Sequence, residues 1–350
     1  MASDDVAQRS STSDRPPTPE VAEQDIAPDG DVILVVGAEG VRLRVYSQCL
    51  RAASKVFRVM FGPDWSEGQA LSAKSPKEVV LDDDDAFAMR IVCLVLHHDD
   101  GVPEVLTPKQ IATIAVVSDK YDLAAALRLL SARWLWHKVG FSLIDMGHRA
   151  VAAFLLDKNR LFESFAMDLI MYWSDSYRGL LGDEIIGQFM TSETICKPSF
   201  ACLTHKCDPK LTLAGELERR RLRMRLDLAE FLLKASCDRP NGGCSLGNAQ
   251  CSWAKKRVEG YRTFISGSGS PSLSMDPLST IVDKIRSAAS EHDMAKSLQC
   301  YGGSSFGRSQ EHEPLRVDET FEGKLAVIRK RAALCIDCLR AREHCKVDHD

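Results

Sequence analysis

Two short apolar runs open the legible part of the chain. Val32-Ile33-Leu34-Val35-Val36 is continuous and rich in β-branched residues, and Val41-Arg42-Leu43-Arg44-Val45 alternates with period two. Gly37-Ala38-Glu39-Gly40 lies between them, which predicts a β-hairpin closed by a Gly-bearing turn. Ser47 stands where it can cap a short helix through Leu50 and Ala53. Ser54 can cap a second, with Phe57, Met60 and Phe61 on one face. Gly62-Pro63 stops that helix, and Lys77-Glu78-Val79-Val80-Leu81 predicts a third strand. Helical spacing returns at Phe87, Ile91, Leu94 and Val95. Pro108 then opens a helix carrying Ile111, Ile114, Ala115 and Ser118. Asp119-Lys120-Tyr121-Asp122 breaks it before Leu123, Ala126, Leu127, Leu130 and Trp134 mark another. Short strands followed by several short helices, without strand–helix–strand alternation, predict an α+β unit over residues 30–137.

Beyond that unit the period is mostly helical. Val151, Phe154 and Leu155 begin one apolar face, and Leu161, Phe162, Phe165, Leu169, Ile170 and Trp173 make a stronger one. Aromatics at helical spacing are explained by core packing more cheaply than by a cofactor box. No Pro/Gly/Ser linker intervenes, so residues 138–235 are expected to form a helical extension packed directly on the preceding unit. Residues 236–318 hold Ser266-Gly267-Ser268-Gly269-Ser270 and Gly302-Gly303-Ser304-Ser305, and predict an irregular region with short helices. Those glycines follow no strand and make no dinucleotide fingerprint. Residues 319–350 read as a terminal helix and a Cys/His tail. Residues 1–29, rich in Ser, Asp, Pro and Glu without apolar periodicity, read as a disordered acidic leader.

The first unit resembles a BTB/POZ domain, in the diverged form common in fungal proteins. The matching pieces are Gly30-Asp31-Val32-Ile33-Leu34-Val35-Val36, Val45-Tyr46-Ser47-Gln48-Cys49-Leu50 leading to Ser54-Lys55-Val56-Phe57-Arg58-Val59-Met60-Phe61, and Val80-Leu81 through Phe87. Ile111 to Trp134, around Asp119-Lys120-Tyr121-Asp122-Leu123, completes the series, and Leu96-His97-His98 before Val102-Pro103 resembles the fungal variant. The resemblance implies a protein–protein interaction module, often a homodimer, without catalytic chemistry of its own. Tyr46 stands where many relatives have His, and Ser47 where a basic residue is common. The charged pocket of transcription-repressing members would therefore keep only Asp31. Relatives that recruit a cullin ubiquitin-ligase scaffold show an apolar-x-Glu pattern after the third strand, whereas Phe87-Ala88-Met89 supplies no Glu.

Composition narrows the classes. At 350 residues, about two domains are expected, and 45% apolar with 27% charged residues is ordinary globular usage. With 45 Lys+Arg against 49 Asp+Glu the formal charge is −4, without the basic excess of a dedicated polyanion binder. The longest apolar runs, such as Val32–Val36, fall far short of the roughly 20 residues of a spanning helix. Twelve cysteines are too dilute for a disulfide scaffold, and no secretory signal pattern opens the chain. They read as reduced thiols or metal ligands in an intracellular protein, nuclear or cytoplasmic.

Three local clusters carry candidate chemistry. Asp82–Asp85 immediately precedes a helical pattern, where an Asp caps and negative charge is favoured; the alternate spacing of a Ca²⁺ loop is missing. Arg219-Arg220-Arg221-Leu222-Arg223-Met224-Arg225 has the charge of a nucleic-acid patch. However, Glu216, Glu218, Asp227 and Glu230 flank it, Leu222, Leu226 and Ala229 trace an apolar seam, and few aromatics interleave it. A solvated face laced by intrahelical pairs is the expectation. The tail holds Cys335, Cys338, Cys345 and His349 as C-x2-C-x6-C-x3-H, with His344 a competing donor. Such a set suits one structural Zn²⁺ with a closed coordination shell; reduced thiols without metal are the other reading. A thiol-redox role would require Cys335 to open a helix after a buried strand, whereas Leu325, Ile328 and Leu334 place it at the end of a helix. Cys202, His205 and Cys207, and Cys237, Cys244 and Cys251, are looser donor clusters. No nucleophile elbow, His-Glu-x-x-His or phosphate loop appears. The expected function is non-catalytic protein binding, through itself or other proteins, with a cullin adaptor or a transcription-associated regulator as alternatives.

Overall fold

A computed structural model describes residues 24–136, 142–191, 213–237, 276–292 and 317–339. The chain divides into two compact units, Met1–Val102 and Pro103–Asp350. The first is mixed α+β and the described part of the second is helical.

In the first unit, β2 (Val32–Val36) and β3 (Val41–Val45) pair antiparallel from Val32↔Val45 to Val36↔Val41. Gly37 and Gly40 take positive φ in the turn between them, a conformation that carries little cost only for glycine. Helices α1 (Ser47–Ala53) and α2 (Lys55–Met60) return the chain to β4 (Lys77–Leu81), which pairs parallel to β2, and α3 (Ala86–Leu96) comes next. This register stacks Leu34, Leu43 and Val79 on one face, with Val32, Val45, Val36 and Leu81 beside them, all buried. Leu50, Phe57, Phe61, Met89 and Ile91 supply the helical side of that core, with Phe57 and Phe61 stacked at 5.9 Å. On the opposite face Arg42 reaches Glu78 at 2.6 Å.

Two expectations change here. A two-residue strand, β1 (Gln24–Asp25), pairs parallel to the free edge of β3, and Ala27 is buried with its amide on Arg44 O. The end of the presumed leader is therefore ordered, because β3 offers unpaired main-chain groups that a short extended segment satisfies; residues 1–23 lie outside the described residues. Ser47 is not a cap either. It is the first residue of α1, its hydroxyl bonds Asp31, and Tyr46 occupies the cap position without a side-chain bond. Ser54 does cap α2 through Phe57 N, and Asp85 caps α3 through Ala88 N at 2.7 Å.

The second unit begins with α4 (Pro108–Lys120), opened by a Thr107/Gln110 capping box, and α5 (Arg128–Trp136). Helices α6 (Leu143–Leu155) and α7 (Asn159–Tyr172), a 3₁₀ turn at Tyr177–Gly182 and α8 (Glu184–Thr191) come after them. The long α9 (Leu213–Cys237), α10 (Leu278–His292), α11 (Val317–Ala332) and α12 (Ile336–Leu339) complete it. Helix α6 packs against both α4 and α7, so position 137 falls inside this unit and α4 shares a core with the later helices. Phe162, Phe165, Leu169 and Ile170 are core, and Phe154 meets Phe162 and Phe189 edge-on. A Cβ on Gly147 would stand 2.7 Å from Ile186 and 2.9 Å from Leu180, so glycine sets how closely α6 approaches its neighbours. Within 236–318 the 15-residue α10 is longer than expected, α9 runs on to Cys237, and the terminal helix starts at Val317. Among the described residues no helix is long and apolar enough to cross a membrane.

Candidate functional site

Asp31, Tyr46 and Ser47, the positions of the pocket implied by the resemblance, do come together. Asp31 Oδ1 accepts from Ser47 N and Oδ2 from Ser47 Oγ, both at 2.7 Å. A single carboxylate thus ties the start of β2 to the first turn of α1, a charge-assisted clamp. Tyr46 N donates to His97 Nε2 at 3.0 Å, and His97 Nδ1 lies 2.7 Å from Cys93 O. His97 must be neutral with its proton on Nδ1 to make both bonds. Its ring stacks on Tyr46 at 6.0 Å. Burial holds the His97 pKa below the ordinary imidazole value, against the opposing pull of its Cys93 carbonyl bond and Asp99. Burial, then the Asp31 charge, raises the Cys49 thiol, and burial pushes Cys93 up to about 12. Neither thiol is an activated nucleophile at neutral pH.

The remaining feature of this unit is exposed apolar surface. Helix α2 buries Phe57 and turns Val56 and Val59 outward, Val59 to 59%. Trp65, Val80, Tyr46 and Phe87 are also exposed. Sequence periodicity marked the Phe57 face and passed over Val56 and Val59, although their i, i+3 spacing was visible. In the Phe87-Ala88-Met89 segment only Phe87 is exposed; Met89 is fully buried, so a Glu there would have no outward course.

The arginine-rich helix departs from its expected role. Arg221 and Arg225 are 8% and 7% exposed, and Glu216 is buried. Arg221 donates to Trp173 O and Asp175 O, pairs with Glu218 and lies 4.8 Å over the Tyr177 ring. Arg220 donates to Arg331 O and Ala333 O, and Arg225 to Asp276 O. The Trp173, Arg331 and Ala333 carbonyls lie at the C-terminal ends of α7 and α11, where helices leave acceptors open, and Asp175 O and Asp276 O lie in the segments outside the helices. Burial raises Glu216, but bonds from Arg219 and Arg220 overcome it and hold the carboxyl below the usual range. The intrahelical pairs exist, including Arg223–Asp227 at 3.2 Å. The solvated-face expectation fails for Arg221 and Arg225 because they are framework, whereas Arg219 and Arg223 stay exposed in intrahelical pairs with Glu216 and Asp227.

Of the tail, Cys335 is fully buried beside Leu334 and Ile336. The side chain of Cys338, with Cys345, His344 and His349, lies outside the described residues, as do Cys202, His205, Cys207, Cys244 and Cys251 and the Cys237 side chain. Cys335 does not end a helix: α11 stops at Ala332, and Cys335 O accepts from Leu339 N at the head of the four-residue α12. What precedes it is a helix, not the buried strand that the redox reading needs. Among the described residues no group of three or more His, Cys, Asp or Glu is placed to hold a metal ion. One pair went unnoticed in the sequence for want of any short-range pattern. His148 Nε2 lies 3.0 Å from Asp183 Oδ1, which also accepts from Ile185 N and Ile186 N at the start of α8. Through Oδ1 that carboxylate caps α8 and joins it to α6.

No model of a known protein family matches this chain, and no curated protein matches it.

Proposed function

We propose that this chain works by non-catalytic protein–protein contact, through a BTB/POZ-like domain that docks a protein partner or a second copy of itself. The carrying observation is the outward pair Val56 and Val59 on α2, opposite a helix face committed to the core. Exposed apolar side chains on a stable element favour association by the area they remove from water. The order of hairpin, two short helices, third strand and helix also matches the order of the resembling pieces. Asp31 and His97 are occupied by main-chain partners, which favours a framework role for the polar cluster over chemistry.

Native mass spectrometry of the full chain, with and without Val56→Asp/Val59→Asp, tests this. A dimer, or a complex with a co-purified protein, that is lost in the variant is the expected result. Association unchanged by the variant, or a monomer that captures nothing, overturns it. A co-purified cullin would select the adaptor form of the proposal. The same spectra read the tail: one zinc per chain, absent from Cys338→Ser, is the outcome its ligand spacing calls for.

A further inference from the structure

Helices α1 and α2 carry charge of one sign. From Tyr46 to Pro63 the chain has Arg51, Lys55 and Arg58 and not one carboxylate. Arg51 and Arg58 stand in the last turns of α1 and α2, where a cation suits the helix dipole, and both are exposed. That position does not use their N–H donors. Arg58 Nε donates to Arg51 O at 3.2 Å, which draws the Arg58 side chain back to the α1–α2 junction. Among the described residues neither guanidinium meets a carboxylate. Lys55 is exposed but has an interaction of its own, so the two arginines are what an incoming anion would meet. The same pair of helices exposes Val56 and Val59, neighbours at i, i+3 on α2.

We propose that this surface docks an acidic amphipathic segment of a different protein, its apolar side chains on Val56 and Val59 and its carboxylates on Arg51 and Arg58. This rests on the docking role of α2 proposed above and names the partner. A guanidinium fork takes a carboxylate through two parallel charge-assisted bonds, and cations at the margin of an apolar contact speed association and make it salt-dependent. Charge speaks against a second copy. A two-fold contact centred on the valines is isologous, so it would gather Arg51, Lys55 and Arg58 of both copies around one patch. The carboxylates next in sequence, Asp64 and Glu67, follow the Gly62-Pro63 stop, and Glu67 already accepts from Ser66 Oγ. Like charges so placed disfavour self-pairing and leave an acidic partner preferred. An anionic lipid surface offers the same sign of charge, but α2 has six residues and a helix that lies in a membrane interface needs a long apolar face.

Fluorescence anisotropy of the full chain with a labelled peptide of Leu and Glu at helical spacing, beside a Leu/Lys counterpart, tests this. The acidic peptide should bind, the basic one should not, and added salt should weaken the complex. Val56→Asp/Val59→Asp should weaken it about tenfold, and Arg51→Glu/Arg58→Glu should reverse the preference toward the Leu/Lys peptide, a gain that misfolding cannot mimic. An acidic peptide that binds no better than the basic one, or a preference unmoved by the arginine variant, overturns the proposal. So does tighter binding of the chain to phosphatidylserine vesicles than to the peptide. A dimer in sedimentation velocity that is lost in Val56→Asp/Val59→Asp overturns the acidic partner while leaving the docking role of α2 standing. Peptide binding that the valine variant leaves unchanged removes that role as well.

Discussion

His97 shows how a residue that titrates near neutrality can be committed to structure. Its Nε2 accepts from Tyr46 N, so protonation must break that bond and charge a group that burial already disfavours. The folded pKa lies below the unfolded one of about 6.5, so between the two values the unfolded chain binds the extra proton. The stability His97 contributes is complete above about pH 6.5 and drains as the pH falls from there toward the folded value. Urea midpoints between pH 8 and 5 should therefore decline more steeply for the native chain than for His97→Gln; parallel curves would show that His97 does not titrate with folding. Arg221 is the counterpart in the second unit. Arg221→Met would strip donors from Trp173 O and Asp175 O and take the guanidinium from Glu218, which keeps its bond from Tyr177 N, at a cost of about 3 kcal/mol. Arg221→Lys should recover little of it, because an ammonium cannot reach two carbonyls, a carboxylate and the Tyr177 face with fork geometry. Thermal unfolding of both variants reads this, and a loss under 1 kcal/mol in Arg221→Met would mean the arginine is dispensable. Neither role is visible locally: His97 meets Tyr46 across 51 positions, and Arg221 meets Trp173 across 48.

At the scale of elements, local signals served well wherever the deciding interaction spans three or four residues. Asp85 and Ser54 cap the helices their positions announced, since a cap is a contact between a side chain and an amide two or three residues on. Asp85→Ala should cost about 1 kcal/mol, shifting the denaturant midpoint of the first unit with its slope unchanged; an unshifted midpoint would make the cap redundant with the neighbouring carboxylates. Ser47 looked equally qualified, yet Asp31, sixteen residues earlier, captures its hydroxyl. Helix α9 marks the limit of periodicity. Both of its stripes carry leucines, and the pattern favoured Leu222 and Leu226 because Arg221 interrupts the other. Tertiary structure chose the stripe containing Arg221, since carbonyls at the end of α7, Glu218 and the Tyr177 ring satisfy the guanidinium completely enough to bury it.

At the scale of the whole molecule, the mixed α+β class, the hairpin, the third strand and the run of helices after Pro108 were all legible, because apolar spacing with period 2 or 3.6 reports which positions leave water. The core aromatics of α7 were legible for the same reason. The division of the chain was not. Helix α4 carries the face read from its sequence, but nothing local says that α6 covers it. Likewise the edge of β3 recruits Gln24 and Asp25 from a segment whose composition read as disordered, because main-chain pairing is blind to side chains. The sequence by itself determined which runs form the hairpin, the third strand and the helices after Pro108, since their apolar periods result from forces that act within a few residues. Only the tertiary structure decided which charged groups go inside, which leucines stay outside and which segments share a core. Those outcomes depend on partners tens to more than a hundred positions away, such as Arg331 and Ala333 for Arg220.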